Sequence, residues 1–459
     1  MTGSSSRQGV FQVQPLQPEQ RLHPISRREP LIAASTEEEY LGSTHASAAY
    51  VKRIVILGGG TGGTMMANRL ARALANDQWR VTVVDRDNVH IYQPGLLMLP
   101  FGQYRRDELI KQRRALLDPG VELRLHEIDR VAPDENKVFL EGGEVLSYDL
   151  LVVATGARIR PELTPGLTGE GWQKTAFDFY SLEGAIALQD TLSRWKGGRL
   201  VVNIVDMPIK CPVAPLEFAF LADAFFTQRG LRGQVEMVYV TPLEGAFTKP
   251  RASAAFGNIM SQRHIEVVGD FALAEVDGGR RTLKSYDGRE VDYDLLVTVP
   301  LHAGAAAIQA SGMGDEAGWL PTHKHTLQSL HFPNVFALGD ATNLPASKAG
   351  AVAHFQSEVL FSNVLRFIDG QSLLPEFDGH ANCFIETGYG KAMLIDFNYE
   401  TEPLPGRFPL PGIGPFTLLE ESEVNHWGKL AFKWIYWNLL LEGKELPLDH
   451  RMLMAGKWA

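Results

Sequence analysis

The chain reads as an α/β protein built from two similar units, and three observations carry that reading. A short apolar strand at residues 53–57, a glycine-rich loop and a helix at 64–75 follow one another near the start. A second strand and helix, about residues 200–204 and 216–226, repeat the pattern further on. The run Tyr293-Asp294-Leu295-Leu296-Val297-Thr298-Val299-Pro300 echoes Tyr148-Asp149-Leu150-Leu151-Val152-Val153-Ala154-Thr155, each after a Glu-Val hairpin arm. Such an echo marks two repeats of one α/β plan. Continuous apolar runs of four to eight residues are the signature of parallel strands buried on both faces. Residues 150–154, closing on Thr155-Gly156, fit it; 81–84, closing on Asp85, and 234–240 read as further strands. Residues 121–125, 137–140 and 144–146 are more polar and read as smaller strands between them.

The bulk numbers narrow the class. At 459 residues the length supports about three domains. The formal charge of −10 argues against nucleic acid as a main partner, because phosphate binding runs on clustered Lys and Arg. The two cysteines, Cys211 and Cys383, give no disulfide framework, so a reducing compartment and the cytoplasmic side are the default. No stretch reaches the ~20 apolar residues of a membrane span. Residues 1–50, rich in Ser, Gln, Pro and Arg without an apolar run, read as a disordered leader. Residues 51–160 with 295–375 then form one unit and 161–294 a second. Residues 376–459 are a C-terminal region, set off by Pro and Gly punctuation at 403–414.

The glycine loop supplies chemistry. Gly58, Gly60 and Gly63, with Thr61 and Gly62 between them, make G-x-G-x-x-G between strand and helix, the context this fingerprint needs. Gly58 serves the tight turn, Gly60 admits a pyrophosphate to the backbone, and Gly63 lets the helix pack on the strand. The helix N-terminus then faces the phosphates. Asp85 closes the next strand where a carboxylate accepts ribose hydroxyls. These are the marks of a Rossmann-like, dinucleotide-binding unit.

The second unit departs from that plan. Its turn runs Val205-Asp206-Met207-Pro208-Ile209-Lys210-Cys211-Pro212-Val213-Ala214-Pro215, without a glycine. A nicotinamide dinucleotide needs close backbone approach there. Three prolines and a thiol count against NADH and point to a small, sulfur-reactive donor.

Further segments carry a resemblance. The strand Val335-Phe336-Ala337-Leu338 ending in Gly339-Asp340, and Ala154-Thr155-Gly156, resemble the second and intermediate flavin motifs of the pyridine nucleotide–disulfide reductase superfamily. Tyr92-Gln93-Pro94-Gly95, Lys210-Cys211-Pro212, Asp294-Leu295-Leu296, Gly339 to Lys348 and Glu386-Thr387-Gly388-Tyr389 together resemble the sulfide:quinone oxidoreductases over most of the chain. The resemblance implies FAD, held by Gly58, Gly60, Thr61, Gly62, Gly63, Asp85, Gln93, Thr155, Gly156, Gly339, Asp340 and Lys348. The fold it implies is two FAD/NAD(P)-binding Rossmann-like units with a C-terminal membrane-facing tail.

It also implies that Cys211 is one of a redox pair that sulfide opens, with electrons passing through flavin to quinone. The partner is expected just after Gly339-Asp340, where this chain has Ala341 and no cysteine in the following loop. Cys383 matches a segment that looks structural, so a one-thiol route through Cys211 is expected. Lys210 and a following helix N-terminus should lower the Cys211 pKa, and Lys348 should lie by the flavin's pyrimidine end. Asp206 and Glu217 flank the turn as capping or surface groups. His302, His354, His323 and His325 show no metal spacing, and no metal is expected.

Residues 427–441 place apolar side chains at 427, 430, 434, 437 and 441 with Lys429 and Lys433 opposite, a pattern that seats a helix in a bilayer interface. The expected partners are therefore a small sulfur donor, a quinone and a membrane surface; a homo-oligomer stays open. Three alternatives remain at this point: a flavin-dependent quinone reductase with a non-sulfide donor, an NADH:quinone reductase, and a non-catalytic FAD-bearing scaffold that binds a persulfide carrier.

Overall fold

A computed structural model describes residues 50–410, 412–446 and 448–458. The leader expected over residues 1–50 lies outside them except for Tyr50. The first unit opens with β1 (Lys52–Leu57), α1 (Thr61–Ala73), β2 (Trp79–Asp85), β3 (Glu122–Leu125) and β4 (Leu150–Val153). The chain continues through β5 (Ala176–Phe177), β6 (Gly198–Ile204), α2 (Ala214–Gln228), β7 (Val235–Val240), β8 (Ile265–Val268) and β9 (Leu295–Val299). It returns as β10 (Val335–Ala337) and α3 (Gly350–Ile368). It ends in β11 (Ala381–Gly388), β12 (Lys391–Phe397), β13 (Gly406–Leu410), β14 (Gly414–Leu418), β15 (Glu421–Ser422) and α4 (Glu423–Ile435).

Two parallel sheets follow the same plan. The first has strand order β10-β4-β1-β2-β3 and the second β5-β9-β6-β7-β8. The first begins at its middle strand, runs outward through β2 and β3, and is completed on the other side by β4 and β10; the second runs outward from its middle strand through β7 and β8, with the later β9 and the earlier β5 on the other side. The echo at residues 148–155 and 293–300 is thus β4 and β9, which pair with β1 and β6 respectively. Both are buried along their whole length, in keeping with their Leu- and Val-rich sequences. The chain is an α/β protein of two Rossmann-like units.

The glycines of the first loop have separate duties. Gly58 holds φ +92°, and a Cβ on Gly63 would lie 1.8 Å from the Gly58 carbonyl oxygen. Helix α1 can therefore sit against β1 only with glycine at 63. The two units meet through aromatic rings: Phe218 of α2 stacks on Phe179 and lies beside Phe101, each at 5.0 Å between centroids.

Two expectations for the C-terminal region are overturned. The Pro- and Gly-rich stretch 403–414 is no boundary; it carries the antiparallel strands β13 and β14 of a third five-stranded sheet. Residues 427–441 do not form one amphipathic helix either. Helix α4 gives way to a π-helical turn over Tyr436–Leu440, and a π turn shifts the helical register. Trp427 and Trp434 point outward, 65% and 61% exposed, whereas Trp437 and Leu441 are buried and Lys429 faces the interior. Among the described residues no helix is long and apolar enough to cross a membrane.

Gly63→Ala tests the helix–strand contact. It is expected to lower the unfolding free energy by about 1–3 kcal/mol, read as a lower urea midpoint with an unchanged slope.

Candidate active site

The residues expected to bind the cofactor converge although they are scattered in sequence. Gly58 follows β1, Asp85 ends β2, Thr155 and Gly156 follow β4, and Gly339 and Asp340 follow β10. These four strands are neighbours in one parallel sheet, so all of these residues lie off its carboxyl edge, beside the strand where the order reverses. Such an edge is where open α/β sheets bind ligands.

The groups present fit a dinucleotide with a sugar-alcohol chain. No side chain caps α1 at Gly60, which leaves the first N–H groups of the helix free for a phosphate. A Cβ at Gly60 would meet nothing within 4 Å. The Thr155 hydroxyl is buried without a partner among the described residues. The Asp340 carboxylate makes no hydrogen bond among them either; burial pushes its pKa up, while Lys348 and Lys210 pull it down. Free acceptors of this kind suit ribityl and ribose hydroxyls.

Other expected ligands already have protein partners. Asp85 Oδ2 accepts the Gly59 N–H at 2.7 Å and Oδ1 lies 3.1 Å from Arg113, so it braces the glycine loop and keeps its remaining lone pairs for a ribose. The Thr61 hydroxyl shares a 2.7 Å hydrogen bond with the Tyr436 hydroxyl, which also meets His90 Nε2 at 2.7 Å. Gln93 is exposed and accepts from Lys210 Nζ at 3.0 Å. Lys348 is buried; its ammonium donates to the carbonyls of Thr342 at 2.6 Å and Asp340 at 3.3 Å and lies over the Trp319 ring. Lys348 thus shapes the Gly-Asp loop directly.

The second sheet delivers Cys211 off the carboxyl end of β6, the position that the glycine loop holds in the first. The turn is closed by protein: the Cys211 N–H donates to the Lys348 carbonyl at 2.6 Å, and the Cys211 carbonyl accepts from Ala214 N and from the Tyr180 hydroxyl. Cys211 has φ +48°, a left-handed conformation unusual for a side-chain-bearing residue. This bond ties the thiol turn to the loop that carries Asp340.

Around the thiol the structure corrects four expectations. First, Lys210 turns to Gln93; the cation of this pocket is Lys429, brought in by α4. Second, burial pushes the Cys211 pKa up, and Glu217 adds to it, outweighing Lys429 and the Ala214 N–H. Third, Glu217 is neither cap nor surface group: it is 0% exposed in the first turn of α2. Fourth, Cys383 on β11 does not stand apart. Its neighbour Phe384 accepts from Lys429 Nζ at 2.8 Å, and burial pushes the Cys383 pKa up to about 12. Both cysteines are free thiols and half-buried.

A buried hydrogen-bond network surrounds the pair. Lys429 Nζ donates to Glu217 Oε1 at 2.7 Å and to the carbonyl of Phe384, next to Cys383, at 2.8 Å. Glu217 Oε1 also accepts the Glu386 N–H at 2.8 Å, and the Glu386 carboxylate meets His426 Nδ1 at 2.9 Å. Sequence reading gives Glu217 and Lys429 other roles, quotes Glu386 only within a motif, and misses His426. One signal was available: Glu217 stands in Ala-Pro-Leu-Glu-Phe-Ala-Phe-Leu, where a lone acid in an apolar helix marks a buried, partnered charge.

Comparison with known proteins agrees with this geometry. The pyridine nucleotide-disulphide oxidoreductase family matches residues 52–204. Fold and groove define a flavin-dependent oxidoreductase that binds FAD. Mitochondrial sulfide:quinone oxidoreductase of Mus musculus is 27% identical over 398 residues, 85% of this chain and 86% of that one. The corresponding protein of Schizosaccharomyces pombe is 29% identical over 417 residues, 84% of this chain and 89% of its own length. The solved sulfide:quinone oxidoreductase of Aquifex aeolicus superposes with a TM-score of 0.70 at 19% identity, covering 86% of this chain and 92% of that one. The chain is thus similar over most of its length to sulfide:quinone oxidoreductases.

Gly60→Ala tests the groove. The added methyl meets no protein atom, so the apoprotein should unfold in urea within about 0.5 kcal/mol of the parent. The purified protein should nevertheless carry far less flavin per chain, measured by absorbance after denaturation.

Proposed function

We propose that this chain oxidises hydrosulfide at Cys211 and Cys383 and delivers the electron pair to a membrane quinone. The observation that carries the reading is Lys429, which donates to the buried Glu217 on the helix after Cys211 and to the carbonyl of Phe384 next to Cys383, with the Cys211 turn bonded to the Asp340 loop. In the oxidised enzyme the two sulfurs are joined. Hydrosulfide attacks one of them, the cysteine–cysteine bond breaks, and a persulfide forms while the other sulfur leaves as a thiolate. A nucleophilic acceptor, a thiol or a second hydrosulfide, then takes the outer sulfur of the persulfide, and the two cysteine thiolates rejoin as the disulfide, releasing the electron pair; bound FAD would supply the two-electron transfer from this pair to the quinone. Gly58 to Gly63, Asp85, Thr155, Gly156, Gly339 and Asp340 hold the dinucleotide. Gln93 and Lys348 act through their bonds to Lys210 and to the Gly-Asp loop. The glycine-free turn before α2 leaves no close backbone approach for a nicotinamide dinucleotide.

We also infer that the chain seats on a membrane surface. On α4, Val424, Trp427 and Trp434 are exposed on the outward side. The neighbouring β13–β14 hairpin exposes Leu410 and Ile413, and the segment paired with it exposes Leu453, Met454 and Trp458. Tryptophan favours the headgroup level of a bilayer, and such a patch is larger than a soluble face needs. The residues concerned are these, rather than the full run 427–441.

Anaerobic addition of sulfide should bleach the flavin, and a quinone analogue should restore it. Cys211→Ser and Cys383→Ser should each abolish bleaching. Bleaching that survives in Cys383→Ser alone would instead establish a route through one thiol. No bleaching of the parent would turn the search to a non-sulfide donor or a persulfide-carrying scaffold. Trp427→Ser/Trp434→Ser should reduce co-sedimentation with phospholipid vesicles by tenfold or more, about 1.4 kcal/mol, and leave bleaching by sulfide unchanged.

A further inference from the structure

Lys429 occupies an unusual place. It lies on a C-terminal helix whose opposite side is exposed, yet its ammonium reaches past the sheet to the first turn of α2 and to the residue after Cys383. The groups that face it come from every surrounding element: Glu217 on α2, Cys211 on the turn before α2, Cys383 and Glu386 on β11, and Tyr104 from the first unit. His426, on its own helix, faces Glu386, and Asp396 on β12 faces Cys383. Lys429 is the cation in contact with Glu217. Glu217 Oε2 is buried and has no partner among the described residues, which leaves one acceptor for an S–H in the pocket.

We propose that Lys429 is the positioning cation of the thiol pair, holding the charge balance that lets one sulfur carry a negative charge when the pair opens. This rests on reading Cys211 and Cys383 as the reacting sulfurs. When the hydrosulfide anion attacks, its charge is transferred to the displaced cysteine; one sulfur–sulfur bond breaks, one forms, and no electrons are gained or lost until the cofactor accepts a pair. The pocket already holds the Glu217 carboxylate. A second anion beside it, in a desolvated site, would stand against both burial and like charge. Lys429, bonded to Glu217 and to the carbonyl of Phe384 next to Cys383, meets that demand from a fixed position. Burial already pushes both thiols up, so losing the cation would push them higher still.

The test reads the thiols themselves. Reduced, FAD-loaded protein is pulsed with iodoacetamide from about pH 6 to about pH 10, and each cysteine is followed by peptide mass. Lys429→Met should move the alkylation curves of Cys211 and Cys383 to higher pH by about a unit or more, about tenfold slower at a fixed pH on the rising limb. Lys429→Arg should stay within about threefold of the parent. Glu217→Gln/Lys429→Met should return toward it, because the uncompensated carboxylate is gone. A purely structural lysine would lower the melting temperature and leave these curves in place; coincident curves for Lys429→Met and parent would overturn the proposal. Should Lys429→Met fail to accumulate, Glu217→Gln alone should react at lower pH than Glu217→Gln/Lys429→Met, and their coincidence would overturn it equally. Sulfide bleaching is run in parallel. Shifted curves in a protein whose flavin ignores sulfide would remove the sulfide reading and leave Lys429 as the cation of the pocket.

Discussion

The contact on which the active region depends is the buried pair of Glu217 and Lys429. It joins three elements that are distant in sequence: α2, opened by the Cys211 turn; β11, which carries Cys383; and α4 at the surface. Removing one partner of such a pair costs about 3–5 kcal/mol, because the other charge is left stranded, yet replacing both by packed apolar residues is often neutral. Stability alone therefore gives little reason for an ion pair here. Its place between the helix after Cys211 and the strand of Cys383 gives a chemical one on the proposed reading, in which the displaced sulfur carries negative charge.

The two parallel sheets solve one geometrical problem in two ways. Each leaves a crevice beside its middle strand, at the carboxyl edge, where neighbouring loops diverge. In the first sheet the crevice is left free for a ligand: glycines thin the turn and the uncapped α1 presents its N–H groups. In the second it is closed by protein, through the Cys211 N–H bond to the Lys348 carbonyl and the bridge between Lys210 and Lys348. A backbone donor that would face a phosphate in one unit thus faces a carbonyl of the other unit's cofactor loop. The same bond fixes Cys211 in a left-handed conformation and sets the thiol turn against the Asp340 loop.

Much of this was legible in the sequence because it rests on local rules. Runs of Ile, Val and Leu at residues 54–57, 150–153 and, with one Thr, 295–299 read as buried parallel strands, and the glycine spacing at 58, 60 and 63 has few other uses. What failed was non-local. The third sheet hides behind prolines, since β13 and β14 place Pro409 and Pro415 opposite one another, where proline ordinarily argues against a strand. The outward face of α4 was misassigned because periodicity assumes an unbroken α-helix, and the π turn at Tyr436–Leu440 lets Trp437 turn inward to His90 and Tyr92. Cys383 lies 172 residues from Cys211, and no local pattern says that β11 packs beside α2.

Burial of both thiols works in two directions. A raised thiol pKa makes the thiolate scarce near neutral pH and makes the sulfur a poorer leaving group, which opposes opening of the pair. The same raised pKa makes the thiolate, once formed, a stronger nucleophile and a readier source of electrons for an acceptor beside it. A dry pocket therefore favours the second half of the reaction at the expense of the first. The Ala214 N–H at the start of α2 and Lys429 both act on the first half, lowering the energy of the displaced sulfur where it is released. Because Lys429 is bonded to Glu217 and to the backbone next to Cys383, its charge needs no rearrangement when the bond breaks, which is the condition under which a fixed charge is most effective in a low-dielectric site.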